Sequence, residues 1–145
     1  MYTQSALRQY QQVNAQGVVD ASPYKIISLL MQGALDRMAS AKVCIRQNDI
    51  EGRNRFIGKA VDIIDCLKES LNHKHDPEMT RNLDNLYDYM SRQLFVANAG
   101  NDCAAIDEVA QLLGTIFDGW KMLEQSMSTA GVSMADAGNG QSLMK

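Results

Sequence analysis

Asp62, Asp65, Glu69 and His73 recur at the three- and four-residue spacing that brings side chains onto one face of a helix. Carboxylates and an imidazole arranged in this way can ligate a metal ion or relay a proton. A di-metal carboxylate site in a helical bundle, however, needs Glu-x-x-His pairs projecting inward. Neither His73 nor His75 has a glutamate three residues earlier, and the Asp62–His73 face lies opposite the apolar arc of its own segment. It therefore reads as solvated, and no metal is expected. Cys44, Cys66 and Cys103 are odd in number and widely separated, with no CxxC spacing, so they read as small buried hydrophobes. Phosphate loops, dinucleotide fingerprints, nucleophile elbows and HExxH motifs are all missing from the sequence. With no nucleophile–base pair and no cofactor signature, the chain is expected not to be an enzyme.

The elements that would position any site are well punctuated. Ser22-Pro23 sets a hydroxyl cap before a proline at the first helical position, predicting a helix over 22–46. Asp49 caps a second helix over 49–72, and Asp76-Pro77 opens a third over 76–99, with Gly100 suited to the left-handed closing position. Asn101 or Asp102 caps a fourth over 102–128. Four long helices joined by short turns pack antiparallel, so the fold class is all-α, an up-down four-helix bundle. Ala6, Leu7, Tyr10 and Val13 are spaced for a short amphipathic helix within 1–16, expected to lean on the bundle as a lid. Residues 129–145, rich in Gly, Ala and Ser and without periodicity, are expected to form a disordered tail.

The apolar stripes look wider than a bundle helix requires. On a wheel of 100° per residue, the second helix (Phe56, Ile57, Ala60, Val61, Ile63, Ile64, Leu67, Leu71) spans about 160°, against a usual stripe of a little over 100°. The fourth, from Ile106 through Leu112 to Met127, spans about 140°. In the third, Met79, Leu83, Leu86, Tyr87, Met90, Leu94 and Ala97 mark the core side, while Tyr89 and Val96 lie well round from it beside Asn82, Asn85 and Gln93. An aromatic and an aliphatic side chain framed by amides suit a groove for a helix or extended peptide, since amides satisfy a partner's polar groups without burying charge. Tyr89, Gln93 and Val96, with Ile57, Val61 and Leu112 at the stripe edges, are the expected partner contacts.

The net charge of −3 argues against general nucleic-acid binding. Its distribution is uneven: eight basic against four acidic residues over 1–60, then six against thirteen over 61–145. Arg37, Lys42, Arg46, Arg53, Arg55 and Lys59 gather near one turn, as a solvated bundle end or a patch for an acidic partner. No apolar run approaches the ~20 residues that cross a bilayer, and the polar start lacks signal-peptide order, so a cytoplasmic protein without membrane insertion is expected. On these residues alone, a homo-oligomerising bundle that self-associates through the same surface remains the rival to a binding protein.

Tyr10-Gln11, Ala21-Ser22-Pro23, Gly33-Ala34, the run Asn82-Leu83-Asp84-Asn85-Leu86-Tyr87-Asp88-Tyr89-Met90, then Arg92-Gln93-Leu94, Ala97-Asn98, Asp102 and Trp120 together resemble the flagellar export chaperone family, FliS. The resemblance covers most of residues 10–123 but neither the loop 15–19 nor the glycine-rich tail. It implies an antiparallel helical bundle that binds the disordered C-terminal region of flagellin, prevents premature polymerisation, and delivers its client to a gate component of the flagellar type III export apparatus. It also implies that the segment around Tyr10, with Leu7, occupies part of the groove when no client is present.

Overall fold

The protein, a computed structural model, is described over residues 22–137, with side chains through Met127. Four helices account for almost all of it: α1 (Pro23–Arg46), α2 (Ile50–Glu69), α3 (Pro77–Gly100) and α4 (Cys103–Ala137). Each packs against two others, α1 and α3 both lying between α2 and α4, so the helices form a ring of four antiparallel neighbours. No strand occurs among the described residues. The predicted helix over 1–16, with Leu7 and Tyr10, lies outside them, as do residues 138–145.

Local chemistry sets the helix ends. Ser22 Oγ accepts from Lys25 N at 3.1 Å, Asp49 Oδ1 from Gly52 N at 2.9 Å, Asp76 Oδ1 from Met79 N at 3.2 Å and Asp102 Oδ1 from Ala105 N at 3.2 Å. Every helix thus begins on a side-chain oxygen that satisfies one of its orphan amides. α1 closes when Asn48 turns left-handed at φ 58 and Asp49 N donates to Cys44 O at 2.8 Å.

Three boundaries differ from the sequence reading. α3 retains Gly100, and Asn101 takes the left-handed position at φ 52. Asparagine tolerates that region, and here its side-chain oxygen accepts from Arg53 Nη1. α2 stops at Glu69, where the Ser70 hydroxyl donates to Leu67 O at 2.6 Å and competes with the next turn. α4 continues past Ser128 to Ala137. That stretch contains no proline to stop it, and one interior glycine costs only about 1 kcal/mol.

The core is a column of Leu30, Met31, Met38, Ile57, Ile64, Leu67, Met90, Leu94, Ile106, Val109 and Leu113, all nearly inaccessible to solvent. Each contributes roughly 1.5–3 kcal/mol through burial. Polar ties sit at the edges. Trp120 Nε1 donates to Tyr24 O at 2.9 Å and the Ser28 hydroxyl to Glu124 Oε1 at 2.8 Å, joining α4 to the start of α1. Lys68 Nζ donates to Asp88 Oδ1 at 2.6 Å across the α2–α3 seam, and Arg53 Nε to Asn98 Oδ1 at 2.7 Å.

Gly52 packs tightly against the end of α1. A Cβ there would lie 2.6 Å from Cys44 Sγ and closer still to the capping carboxylate of Asp49. In an unencumbered helix interior, Gly→Ala stabilises by about 1 kcal/mol. Here the sign should reverse: Gly52→Ala is expected to lower stability by roughly 1–3 kcal/mol in chemical denaturation, the usual cost of overpacking. A neutral or stabilising result would contradict the close packing of this turn.

Candidate partner-binding seam

α3 and α4 pack less closely than any other neighbouring pair in the ring. Two stripes flank the seam between them. On α3, Met79, Asn82, Leu86, Tyr89, Gln93 and Val96 recur every three or four residues; on α4, Glu108, Leu112, Ile116, Gly119 and Leu123 do the same. Leu86, Leu112 and Ile116 are half-buried against the core and form the floor.

A polar node crosses the seam at the end near the α3–α4 turn. The Tyr89 hydroxyl donates to the Glu108 carboxylate, 2.9 Å from Oε1 and 2.8 Å from Oε2, and Gln93 Nε2 donates to Oε1 at 2.8 Å. The hydrogen bond to Glu108 raises the Tyr89 phenol above its ordinary range, assisted by desolvation and by the carboxylate's charge; Arg92 acts weakly in the opposite sense. One turn beyond this node Val96 is 52% exposed, whereas Phe95, 61% exposed, lies on the α2 side of α3, two turns on from the Asp88 that meets Lys68.

The structure brings Tyr89, Gln93, Val96 and Leu112 to one side of the bundle, along the α3–α4 seam. Ile57 and Val61 do not join them. They are core residues, 1% and 8% exposed, and no partner reaches them without parting the helices. The physical reason is that α2 faces two neighbours as well as the interior, and its broad arc is consumed by all three. Met79, assigned to the core side from sequence, is instead 59% exposed, one turn from the open end of α3. Phe95 and Glu108 were missed. Glu108 leaves no local signal in the sequence, because its pairing with Tyr89 and Gln93 arises only when α4 packs on α3.

The carboxylate face of α2 is less solvated than its position on the wheel suggests. Asp65 is half-buried, and burial, reinforced by Asp62, raises its carboxyl above the usual range while Lys68 opposes the shift. Among the described residues, no three His, Cys, Asp or Glu side chains are gathered closely enough to hold a metal ion. Nor is any described helix long and apolar enough to cross a membrane. Of the basic cluster, Lys42 pairs with Asp107 and Arg53 binds asparagines, so both are engaged within the chain.

A ring of four helices with one loosely packed, amide-framed apolar seam defines a helical-bundle binding protein. Residues 6–127 match the family described as flagellar protein FliS. The chain is 43% identical over 121 residues to the flagellar secretion chaperone FliSB of Pseudomonas aeruginosa, covering 83% of this chain and 96% of that protein. It is 38% identical over 130 residues to the flagellar secretion chaperone FliS of Salmonella typhimurium, covering 88% and 96%. A solved structure of a bacterial flagellar chaperone superposes with a TM-score of 0.67 at 17% identity, over 83% of this chain and 98% of that one, so the fold is shared. The chain belongs to the FliS family of flagellar secretion chaperones.

The node has a direct spectroscopic consequence. Ionising Tyr89 would set a phenolate against a carboxylate and remove the hydrogen bond, so its neutral form persists to higher pH than a free tyrosine's. In Glu108→Gln the Tyr89 ring should titrate nearer the ordinary value of about 10, followed by ring carbon shifts in NMR. An unchanged midpoint would show that the node does not form in solution.

Proposed function

We propose that this chaperone acts in the cytoplasm on the disordered C-terminal segment of flagellin, covering it to prevent premature polymerisation and presenting it to a gate component of the flagellar type III export apparatus. The observation that carries the reading is the outer face of α3, in a chain of this family. Val96 stands more than half exposed one turn from the Tyr89–Gln93–Glu108 node, above the half-buried Leu86 and Leu112.

The mechanism is coupled folding and binding, with no catalytic step and no cofactor. A disordered client gains helical structure as its apolar side chains settle on Val96 and the Leu86–Leu112 floor. Ordering it costs on the order of 2–5 kcal/mol, which an extended contact must offset. The adjacent amides accept and donate to the client's polar groups without stranding a charge. The segment around Leu7 and Tyr10 competes for the same surface, which lowers net affinity and lets the client leave without nucleotide hydrolysis.

Calorimetric titration with a peptide of the flagellin C-terminal region should give saturable one-to-one heat, and circular dichroism a gain in helix. Absence of both would end the client assignment. Val96→Asp should weaken peptide binding at least about tenfold, as for a central apolar contact, with little change in melting temperature because the residue is exposed. If the two segments compete, Tyr10→Ala should strengthen peptide binding or leave it unchanged; clear weakening would contradict competition.

A further inference from the structure

The seam has two chemically different ends. The Tyr89–Glu108 and Gln93–Glu108 hydrogen bonds fix the register of α3 against α4, setting Met79 level with the turn that contains Gly119 and Leu123. At that far end Met79 is 59% and Leu123 41% exposed. A Cβ added at Gly119 meets nothing within 4 Å, so the α4 side of the seam is open there. Asn82 adds an exposed neutral amide on the α3 stripe. The near end carries a carboxylate; the far end carries apolar side chains and an amide. From Asn82 to Gln93 the seam is about 16 Å long at 1.5 Å per residue, the length of a helix of about three turns.

We infer that the seam takes one helix of the client with its amino end at Glu108 and its carboxyl end near Met79 and Leu123, running parallel to α4. This rests on the client reading above and adds direction to it. The first turn of any helix presents amides without intrahelical partners and roughly half a positive charge. Glu108 is exposed and held in place by Tyr89 and Gln93; both bond to Oε1, and Oε2, which accepts only from Tyr89, retains unused acceptor capacity. A helix entering the other way would set its orphan carbonyls and partial negative charge against that carboxylate. The Asn82 amide suits the opposite terminus, because its N–H groups can donate to last-turn carbonyls. Glu108 is thus the residue that sets client direction, and Tyr89 and Gln93 are its positioning residues.

The test uses the flagellin C-terminal peptide with a nitroxide amino acid at one end or the other of its bound helix, and isotope-labelled full-length chaperone. The amino-end label should broaden the amides around Gln93 and Glu108, and the carboxyl-end label those around Met79 and Asn82. The reversed pattern, or broadening away from α3 and α4, overturns the assignment. Glu108→Gln, checked for an unchanged melting temperature, should lower affinity roughly two- to fivefold at low salt, with the difference shrinking as salt rises. Equal affinity at low salt removes Glu108 from the role even if the orientation holds. Failure of the unlabelled peptide to bind the wild-type chain overturns the client reading itself and the inference with it; binding in the wrong direction overturns the inference alone.

Discussion

A helix in a ring of four touches two neighbours set roughly at right angles, and the arc it can bury ends where the second neighbour ends. Inside that arc an apolar residue is core; beyond it the same residue is bare. In this chain the limit falls differently on each helix. Along α2 the arc takes in Gly52, Ile57, Val61, Ile63 and Cys66, and Ile50 in the first turn is left exposed. Along α3 the arc closes at Leu94 and Ala97, and the intervening Phe95 and Val96 stand outside it, Phe95 toward α2 and Val96 toward α4. α3 and α4 also pack least closely, so Val96 borders the most loosely packed pair.

The polar node gives that surface its character. A purely greasy seam would invite self-association, because a second copy offers the same chemistry. Glu108, Tyr89 and Gln93 instead supply a carboxylate with spare acceptor capacity at a defined height along the groove. Two copies meeting there would bring like charges together, whereas an incoming helix end brings donors. Under the proposed function this charge would favour a foreign segment over a second copy and one direction over the other.

Much of this was legible in the sequence, and the physics explains which part. Helix starts are local: Ser22, Asp49 and Asp76 announce themselves because an N-cap depends on a few adjacent residues. The stop at Asn101 was misplaced by one position because two adjacent residues could both go left-handed, and the deciding Arg53 comes from another helix. Stripe width misled more seriously. A wheel measures how much apolar arc a helix has, not how many neighbours will cover it, so Ile57 and Val61 looked like edges and proved to be interior. Val96 and Tyr89 behave differently because they lie far round from the α3 core: Val96 stays more than half exposed and Tyr89 meets α4 only through its hydroxyl. Phe95 escaped notice beside the buried Leu94, and Glu108 because its meaning depends on what α3 brings opposite it.

The proposed function places the client on the α3–α4 seam. Hydrogen–deuterium exchange of the full chain with and without saturating flagellin C-terminal peptide addresses it directly. The account predicts slowed exchange over residues 79–96 and 108–123, with the α1–α2 seam unchanged. Protection concentrated on α1 and α2, or bound peptide that leaves α3 exchanging as before, would contradict it.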